Sequence, residues 1–242
     1  TLHQWEEVAK HLQGRYRVIA YDARGHGRSE VPPRQEHYSQ DIMVEDLRGL
    51  LGVLGVHQAV IGGHSMGSNV ALNFAFRYPD LCRALILVGI GSGSSDPEGW
   101  RANTGRLAAL AEREGMGPVL EEIKKFPAWT PALTRPQTGP RLAKEVLACS
   151  PQGIACTIRG VQMRRPTIFQ LEPYLVRLAV PTLVVYGELD DPVVECSRFI
   201  GQKAQKAHVE VVPGSGHWTH LEQPLAFLSV LDRFLARIEA GK

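Results

Sequence analysis

The chain has 242 residues, 44% of them hydrophobic, and its formal net charge of +2 is spread along the sequence without a long block of one sign. This balance does not indicate nucleic-acid binding, and the four cysteines lack the Cys-x-x-Cys spacing of a zinc site and the density of a disulfide framework. No apolar stretch approaches the ~18 residues of a membrane span and no signal peptide is evident, so we expect a cytoplasmic protein without a membrane partner.

The first part of the chain alternates predicted helices and strands. Apolar residues at helical spacing predict a helix over residues 2–12, and the β-rich run 16–21 predicts a strand. A second apolar stripe predicts a helix over 41–54, and the apolar run 58–61 follows it. The next apolar run, 85–88, is typical of a strand that is buried on both faces of a parallel sheet.

This alternation stops in the middle of the chain. Residues 94–174 carry no strong strand pattern, and proline and glycine separate a series of predicted helices. These helices cover residues 101–114, 118–126, 141–149 and 153–165. Strand patterns return at 181–187 and 208–213. The sequence therefore predicts an α/β fold, with a mostly parallel sheet covered by helices on both faces; residues 1–93 and 175–242 form its core and 94–174 a helical insertion.

The sequence gives no cofactor motif. A glycine cluster at 89–93 differs from a dinucleotide fingerprint, because Asp96 stands where the third glycine is needed. No His-Glu-x-x-His, phosphate-binding loop or acidic metal cluster occurs either. We therefore expect neither a bound cofactor nor a metal.

The segment Gly63-His64-Ser65-Met66-Gly67 places a serine between two glycines, directly after an apolar run. In a Gly-x-Ser-x-Gly elbow the serine occupies a strained turn between a strand and a helix, where a larger flanking side chain would collide with its neighbours. The helix that follows places the backbone N–H of Met66 beside Ser65, where an oxyanion would develop. Ser65 is therefore the candidate nucleophile, although the five-residue pattern alone also occurs in ordinary loops.

A serine hydroxyl needs a base and a third group that orients the base. Asp190 and Asp191 follow the predicted strand 181–187, and His217 and His220 follow the strand 208–213. Ligand and catalytic groups of open parallel sheets gather at the carboxyl ends of the strands. Distant parts of the sequence can therefore meet at Ser65.

Four motifs in this order resemble the α/β-hydrolase superfamily over nearly the whole chain. They are Asp22-Ala23-Arg24-Gly25-His26-Gly27-Arg28-Ser29, the elbow at Ser65, Gly187-Glu188-Leu189-Asp190, and Gly216-His217 through Pro224. The resemblance implies the α/β-hydrolase fold with a helical cap, and a triad of Ser65, Asp190 and His217. It favours Asp190 over Asp191, because the family places the acid three residues after the glycine.

The neighbouring histidines have simpler interpretations. We expect His64 to point away from Ser65 and to pack, and we expect His220 to cap or pack near the last helix. His26 belongs to the turn 22–29, which we take as structural with a possible pocket-lining role.

The chain differs from the pattern of this superfamily at its amino terminus. Resembling proteins carry a strand and a His-Gly loop, which gives the second oxyanion N–H, before the helix that opens this chain; we therefore expect Thr1 to follow a missing segment. Loss of one oxyanion donor costs ~100- to 1,000-fold in rate. The alternative hypothesis is a ligand-binding protein that has the hydrolase fold and little turnover.

The expected substrate is a small acyl compound. Serine at position 65 argues against chemistry that needs a carboxylate nucleophile, and leaves esters, lactones, thioesters and carbon–carbon bonds of ring-fission products open. Three arginines within 159–165 are interpreted as a solvated helix face, with an anionic substrate as a lesser option.

Overall fold

The computed structural model describes residues 1–241. Its centre is a four-stranded sheet in the order β1-β2-β3-β4, in which every neighbouring pair is parallel. The strands are β1 (Ala59–His64), β2 (Cys82–Val88), β3 (Thr182–Gly187) and β4 (Ala207–Val212). Their register places Gly63 opposite Leu87 and Leu87 opposite Val184, so the carboxyl ends of the strands lie along one edge.

Twelve α-helices lie within the described residues. They are α1 (Glu6–Leu12), α2 (Gln40–Val53), α3 (Met66–Arg77), α4 (Pro97–Glu114), α5 (Met116–Ile123), α6 (Thr130–Thr134), α7 (Gly139–Leu147), α8 (Pro151–Thr157), α9 (Glu172–Leu175), α10 (Asp191–Lys203), α11 (Thr219–Glu222) and α12 (Pro224–Ala240). A π-helical turn, Ile158–Gln162, continues α8.

Alternating side chains of β2 divide the core into two layers, as expected for a strand whose successive residues point to opposite faces. Leu85 and Leu87 are fully buried among residues of α2, α3 and α10. Ala84, Ile86 and Val88 pack on the other face against α1 and α12. This arrangement confirms the predicted parallel sheet with helices on both faces and explains the continuous apolar character of residues 84–88.

Helices α4 to α8 follow one another between β2 and β3, without a strand in that part of the described chain. A third apolar cluster holds them together, and it includes Trp218 from the loop after β4. The predicted insertion therefore consists of packed helices that contact the core. Its division from the core as a domain of residues 94–174 stays a prediction. None of the helices within residues 1–241 is long and apolar enough to cross a membrane.

The prediction of a strand over residues 16–21 is wrong for this structure. β1 pairs only with β2 within the described residues, and no strand lies beside 16–21. A β-rich sequence becomes a strand only when a neighbouring strand accepts its backbone hydrogen bonds, so sequence propensity alone was not sufficient there. Helices α6, α9, α10 and α11 were not predicted.

Candidate active site

Ser65 lies between β1 and α3 with φ of 53° and ψ of −110°. It is the only residue other than glycine with a positive φ among the described residues. Such a backbone is strained for a side chain with a Cβ and persists only when the surroundings enforce it. The close approach of Gly63 to α3 is part of that enforcement, because a Cβ on Gly63 would lie 2.2 Å from the backbone of Gly67.

Ser68, which the sequence analysis did not single out, joins the elbow to the sheet. Its hydroxyl oxygen is fully buried, lies 2.6 Å from the carbonyl oxygen of Gly63, and accepts a hydrogen bond of 2.8 Å from the N–H of Val88. The N–H of Ser65 donates to the carbonyl of Val88 at 2.8 Å. The strained residue is therefore fastened to β2 through its own backbone and through the first turn of α3.

Asp190 and His217 form a buried pair. Nδ1 of His217 lies 2.8 Å from Oδ2 of Asp190, and the two residues are 1% and 0% exposed. Because a carboxylate can only accept, Nδ1 carries the proton and Nε2 is the nitrogen left to accept one. The neighbouring Asp191 is exposed and begins α10, so the structure brings Asp190 and not Asp191 to the histidine.

The packing role expected for His64 agrees with the structure, in which its ring lies against those of His217, Trp218 and His220 and also makes a hydrogen bond that the sequence did not predict. Nε2 of His64 donates a 2.8 Å hydrogen bond to the carbonyl oxygen of His217, and the two rings lie 4.7 Å apart. Burial, followed by the charges of His217 and His220, holds the pKa of His64 well below its usual range. His64 is therefore a neutral donor at neutral pH.

His220 lies behind this group. Its ring stacks on Trp5 with centroids 4.6 Å apart and lies 5.0 Å from His64. Burial, with a smaller contribution from His217, lowers the pKa of His220 to about 3. The packing role expected for His220 agrees with this position.

Ser65, Met66 and His217 line one cavity of about 830 Å³. Met66 is the first residue of α3, where backbone N–H groups have no acceptor within the helix. Across the described residues no hydrogen bond joins Ser65 to His217. Catalytic contacts of this kind are often long in a protein without its substrate.

The inserted helices form an apolar wall of the cavity. Its larger side chains are Trp100, Leu107, Met116, Val119, Ile123, Trp129 and Ile158, and Thr104, Thr157 and Gln162 are its polar members. No charged side chain of α4 to α8 lines the cavity among the described residues. This wall favours an uncharged, apolar group.

The arginine run of residues 159–165 does not form a single solvated face. Arg159 pairs with Glu112, and Arg164 is exposed. Arg165 instead donates to the carbonyl of Ser92 and lies with its guanidinium 5.8 Å from the ring centre of Trp100. It supports the cavity wall from behind.

The same cavity extends away from Ser65, along the unpaired edge of β1. Residues 17–21 and 59–63 line the cavity along that edge. His26 is also among the lining residues, and its Nδ1 donates to the carbonyl of Arg24 at 3.0 Å. His26 thus has both the structural and the lining position that the sequence analysis considered.

A protein-family model described as alpha/beta hydrolase fold matches residues 1–224. The chain belongs to the α/β-hydrolase family. This hydrolase is 30% identical over 242 residues to 2-hydroxymuconate semialdehyde hydrolase from Pseudomonas sp. (strain CF600), a match that covers 98% of the chain and 82% of that protein.

Solved structures give the same result. A thermophilic esterase from Thermogutta terrifontis has a TM-score of 0.87 and 29% identity, over 98% of this chain and 86% of the esterase. The enol-lactonase from Burkholderia xenovorans LB400 has a TM-score of 0.84 and 25% identity, over 97% of this chain and 86% of the lactonase. The similarity thus extends over nearly the entire chain and includes proteins named for three kinds of hydrolysis.

Proposed function

We propose that this hydrolase cleaves a carboxylic ester, or a related lactone or thioester, of a small molecule through an acyl-enzyme on Ser65. The observation that carries the proposal is the buried Asp190–His217 hydrogen bond at 2.8 Å, in the same cavity as the strained Ser65. In this reading Asp190, His217 and Ser65 are acid, base and nucleophile.

The reaction has two halves. Ser65 Oγ attacks the carbonyl carbon while Nε2 of His217 takes its proton, and the N–H of Met66 stabilises the oxyanion. The imidazolium then gives the proton to the departing alkoxide, which leaves an ester on Ser65. Water, deprotonated by His217, then attacks that ester. The imidazolium gives its proton to Ser65 Oγ as the ester bond breaks, which releases the acid and restores the enzyme.

The cavity wall supports an uncharged substrate group. Tryptophan, leucine, isoleucine and methionine side chains on α4 to α8 offer apolar surface beside Ser65 and no counter-charge for an anion. An aliphatic or aromatic acyl chain fits this wall better than a dicarboxylate does, because a buried anion without a partner is costly.

The second candidate is hydrolysis of a carbon–carbon bond. It is favoured by the 30% identity to a 2-hydroxymuconate semialdehyde hydrolase. We rank ester hydrolysis above carbon–carbon bond hydrolysis because of the apolar cavity wall.

The test examines the proposed nucleophile and the substrate preference in two separate measurements. A fluorophosphonate should label the protein at Ser65, as located by mass spectrometry, and Ser65→Ala should not be labelled. Wild-type protein should then hydrolyse p-nitrophenyl esters with kcat/KM rising as the acyl chain lengthens from two to six carbons, whereas a vinylogous diketone should be turned over more slowly. Absence of labelling on folded wild-type protein would refute the nucleophile, and preference for the diketone would establish the second candidate.

A further inference from the structure

The peptide backbone around His217 is held at three consecutive N–H groups. The N–H of His217 donates to the carbonyl of Ala128 at 2.9 Å. The N–H groups of Gly216 and Trp218 donate to Oε2 and Oε1 of Glu222, at 3.0 and 3.1 Å. One carboxylate therefore accepts from the residues on both sides of the candidate base. Ala128, in the segment between α5 and α6, accepts from the N–H of the base itself.

Arg135, at the end of α6, connects the same two regions. Its guanidinium donates to the carbonyls of Glu222 and Gly214 at 2.8 and 2.6 Å, and lies 3.8 Å from Oε2 of Glu222. Trp129, in the segment between α5 and α6, stacks on the ring of His217 with centroids 5.6 Å apart. Segment 128–135 thus contacts the loop of the base through backbone, guanidinium and ring.

Neither Glu222 nor Arg135 lines the cavity, so neither reaches a substrate there. Glu222 is almost completely buried, and its burial raises the pKa of that carboxyl above its ordinary value, whereas the two N–H donors and Arg135 act in the opposite direction. A buried carboxylate is costly unless it is hydrogen-bonded and paired. Its retention beside the loop of the base requires a reason beyond packing.

We propose that Glu222 and Arg135 are positioning residues, which couple the inserted helices to His217 and set both the place of its ring and the charge that its imidazolium experiences. The proposal rests on the function assigned to His217 above. It predicts that a change at Arg135, which does not line the cavity, reaches the proposed base without contacting substrate.

The electrostatic part follows from the charges that surround His217. Asp190 bonds its ring, His64 and His220 lie close and stay neutral at neutral pH, and Glu222 and Arg135 form a partly compensated pair. Removing the negative charge of Glu222 disfavours the imidazolium. We therefore expect the acid side of the activity profile of a variant without that charge to move to lower pH.

The first experiment measures kcat, KM and the pH profile of Glu222→Gln and Arg135→Ala on a p-nitrophenyl ester. Since misplacement of a catalytic group by ~1 Å costs ~100-fold, we expect kcat to fall by about 10- to 100-fold, with KM changed by less than about 3-fold. Glutamine sets an NH₂ group against one backbone N–H, which loosens the loop, and it removes the negative charge, so the acid limb of Glu222→Gln should move to lower pH. Glu121→Gln and Arg113→Lys, which alter exposed ion pairs, are the matched controls.

Chemical rescue separates positioning from stability. The side chain of Arg135 is 30% exposed, so guanidinium ion at millimolar concentration can reach the space left in Arg135→Ala and should restore part of kcat. Arg135→Lys should retain more activity than Arg135→Ala. If the variants lose activity only in proportion to folded protein, with no pH shift and no rescue, the proposal is wrong.

A measurement without turnover completes the test. NMR of ¹⁵N-histidine-labelled protein follows the His217 imidazole against pH in wild type and Glu222→Gln. A lower midpoint in the variant supports the proposal, and an unchanged midpoint overturns it. Failure of the proposed function would appear separately, as wild-type protein that neither reacts with a fluorophosphonate nor hydrolyses esters.

Discussion

Nε2 of His64 donates a 2.8 Å hydrogen bond to the backbone carbonyl of His217, so the residue before the candidate nucleophile holds the residue proposed as its base. The bond crosses from the end of β1 to the loop after β4, the two outer strands of the sheet. It joins the two loops without using the side chain of Ser65 or of His217. Two further features constrain the same site: the positive φ of Ser65, and the hydrogen bond from His217 to Asp190.

Replacement of His64 should therefore act mainly on kcat. His64→Phe keeps a ring but removes the donor, and we expect about a 10-fold lower kcat, within the range for misplaced catalytic groups. His64→Gln keeps an N–H donor and should lose less. Steady-state kinetics and the thermal midpoint of both variants check this. Equal kcat values for the two variants would contradict the bridging role.

Acid should destabilise the protein through its buried histidines. The pKa of His220 is lowered by burial to about 3, below the ordinary 6.5, so the unfolded chain binds a proton that the folded chain does not. The stability due to neutral His220 is present above pH 6.5 and is lost as the pH falls towards 3. At pH 5 the loss is about 2 kcal/mol, from 1.36 kcal/mol per pH unit.

Urea unfolding at pH 7.5 and pH 5 measures this loss. His220→Phe keeps an aromatic ring against Trp5 and removes the proton site, so its free energy of unfolding should decrease less between the two pH values than that of wild type. Parallel decreases in wild type and variant would assign the acid sensitivity to other groups, such as His64 and His26, whose pKa values burial also lowers.

The two neighbouring aspartates should differ strongly. Asp190→Asn loses the acceptor that orients His217, and we expect kcat to fall by about 10,000-fold, as for an equivalent change in a serine triad. Asp191→Asn removes only a negative charge at the start of α10, worth about 0.3–1 kcal/mol of stability. Ester hydrolysis by the two variants decides the matter. If Asp191→Asn lost most of its activity and Asp190→Asn retained it, Asp191 and not Asp190 would be the residue that orients His217.

The glycines of the elbow should also be unequal. A Cβ on Gly63 meets the backbone of Gly67 at 2.2 Å, whereas a Cβ on Gly62 meets Ile86 at an ordinary 3.6 Å. We therefore expect Gly63→Ala to destabilise the fold by about 3 kcal/mol, the upper part of the range for overpacking, and Gly62→Ala by about 0.5 kcal/mol. Urea unfolding of both variants tests this, and similar losses would show that α3 can move away from β1.

Local patterns identified much of the site in advance. The elbow, the two aspartates 190 and 191, and the two histidines 217 and 220 could be read from residue types at strand ends, because short apolar runs and glycine turns act within a few residues. The family resemblance then selected Asp190 and His217. Glu222 and Ser68 were missed, since a buried serine or glutamate has no distinctive pattern when its partners are backbone groups. A glutamate beside a catalytic loop, before a proline-initiated helix, was the only available signal.

Residues 16–21 are a case in which the sequence predicted an element that the structure does not contain. Their composition predicted a strand, yet strand formation depends on a partner that composition does not specify. The hydrogen bond of His64 was likewise not predicted, because its acceptor lies in the loop after β4, 153 positions later in the chain.

The sequence by itself determined the parallel α/β core and the order of most of its elements, because periodicity and turn chemistry are local. The resemblance of its motifs to the α/β-hydrolase superfamily indicated the three residues proposed for catalysis. Only the tertiary structure brought Asp190 to the ring of His217, joined His64 to the carbonyl of His217, and placed Ala128, Arg135 and Glu222 around the backbone of that loop. These contacts join segments far apart in sequence, and their geometry follows from how helices and sheet pack rather than from any residue pattern.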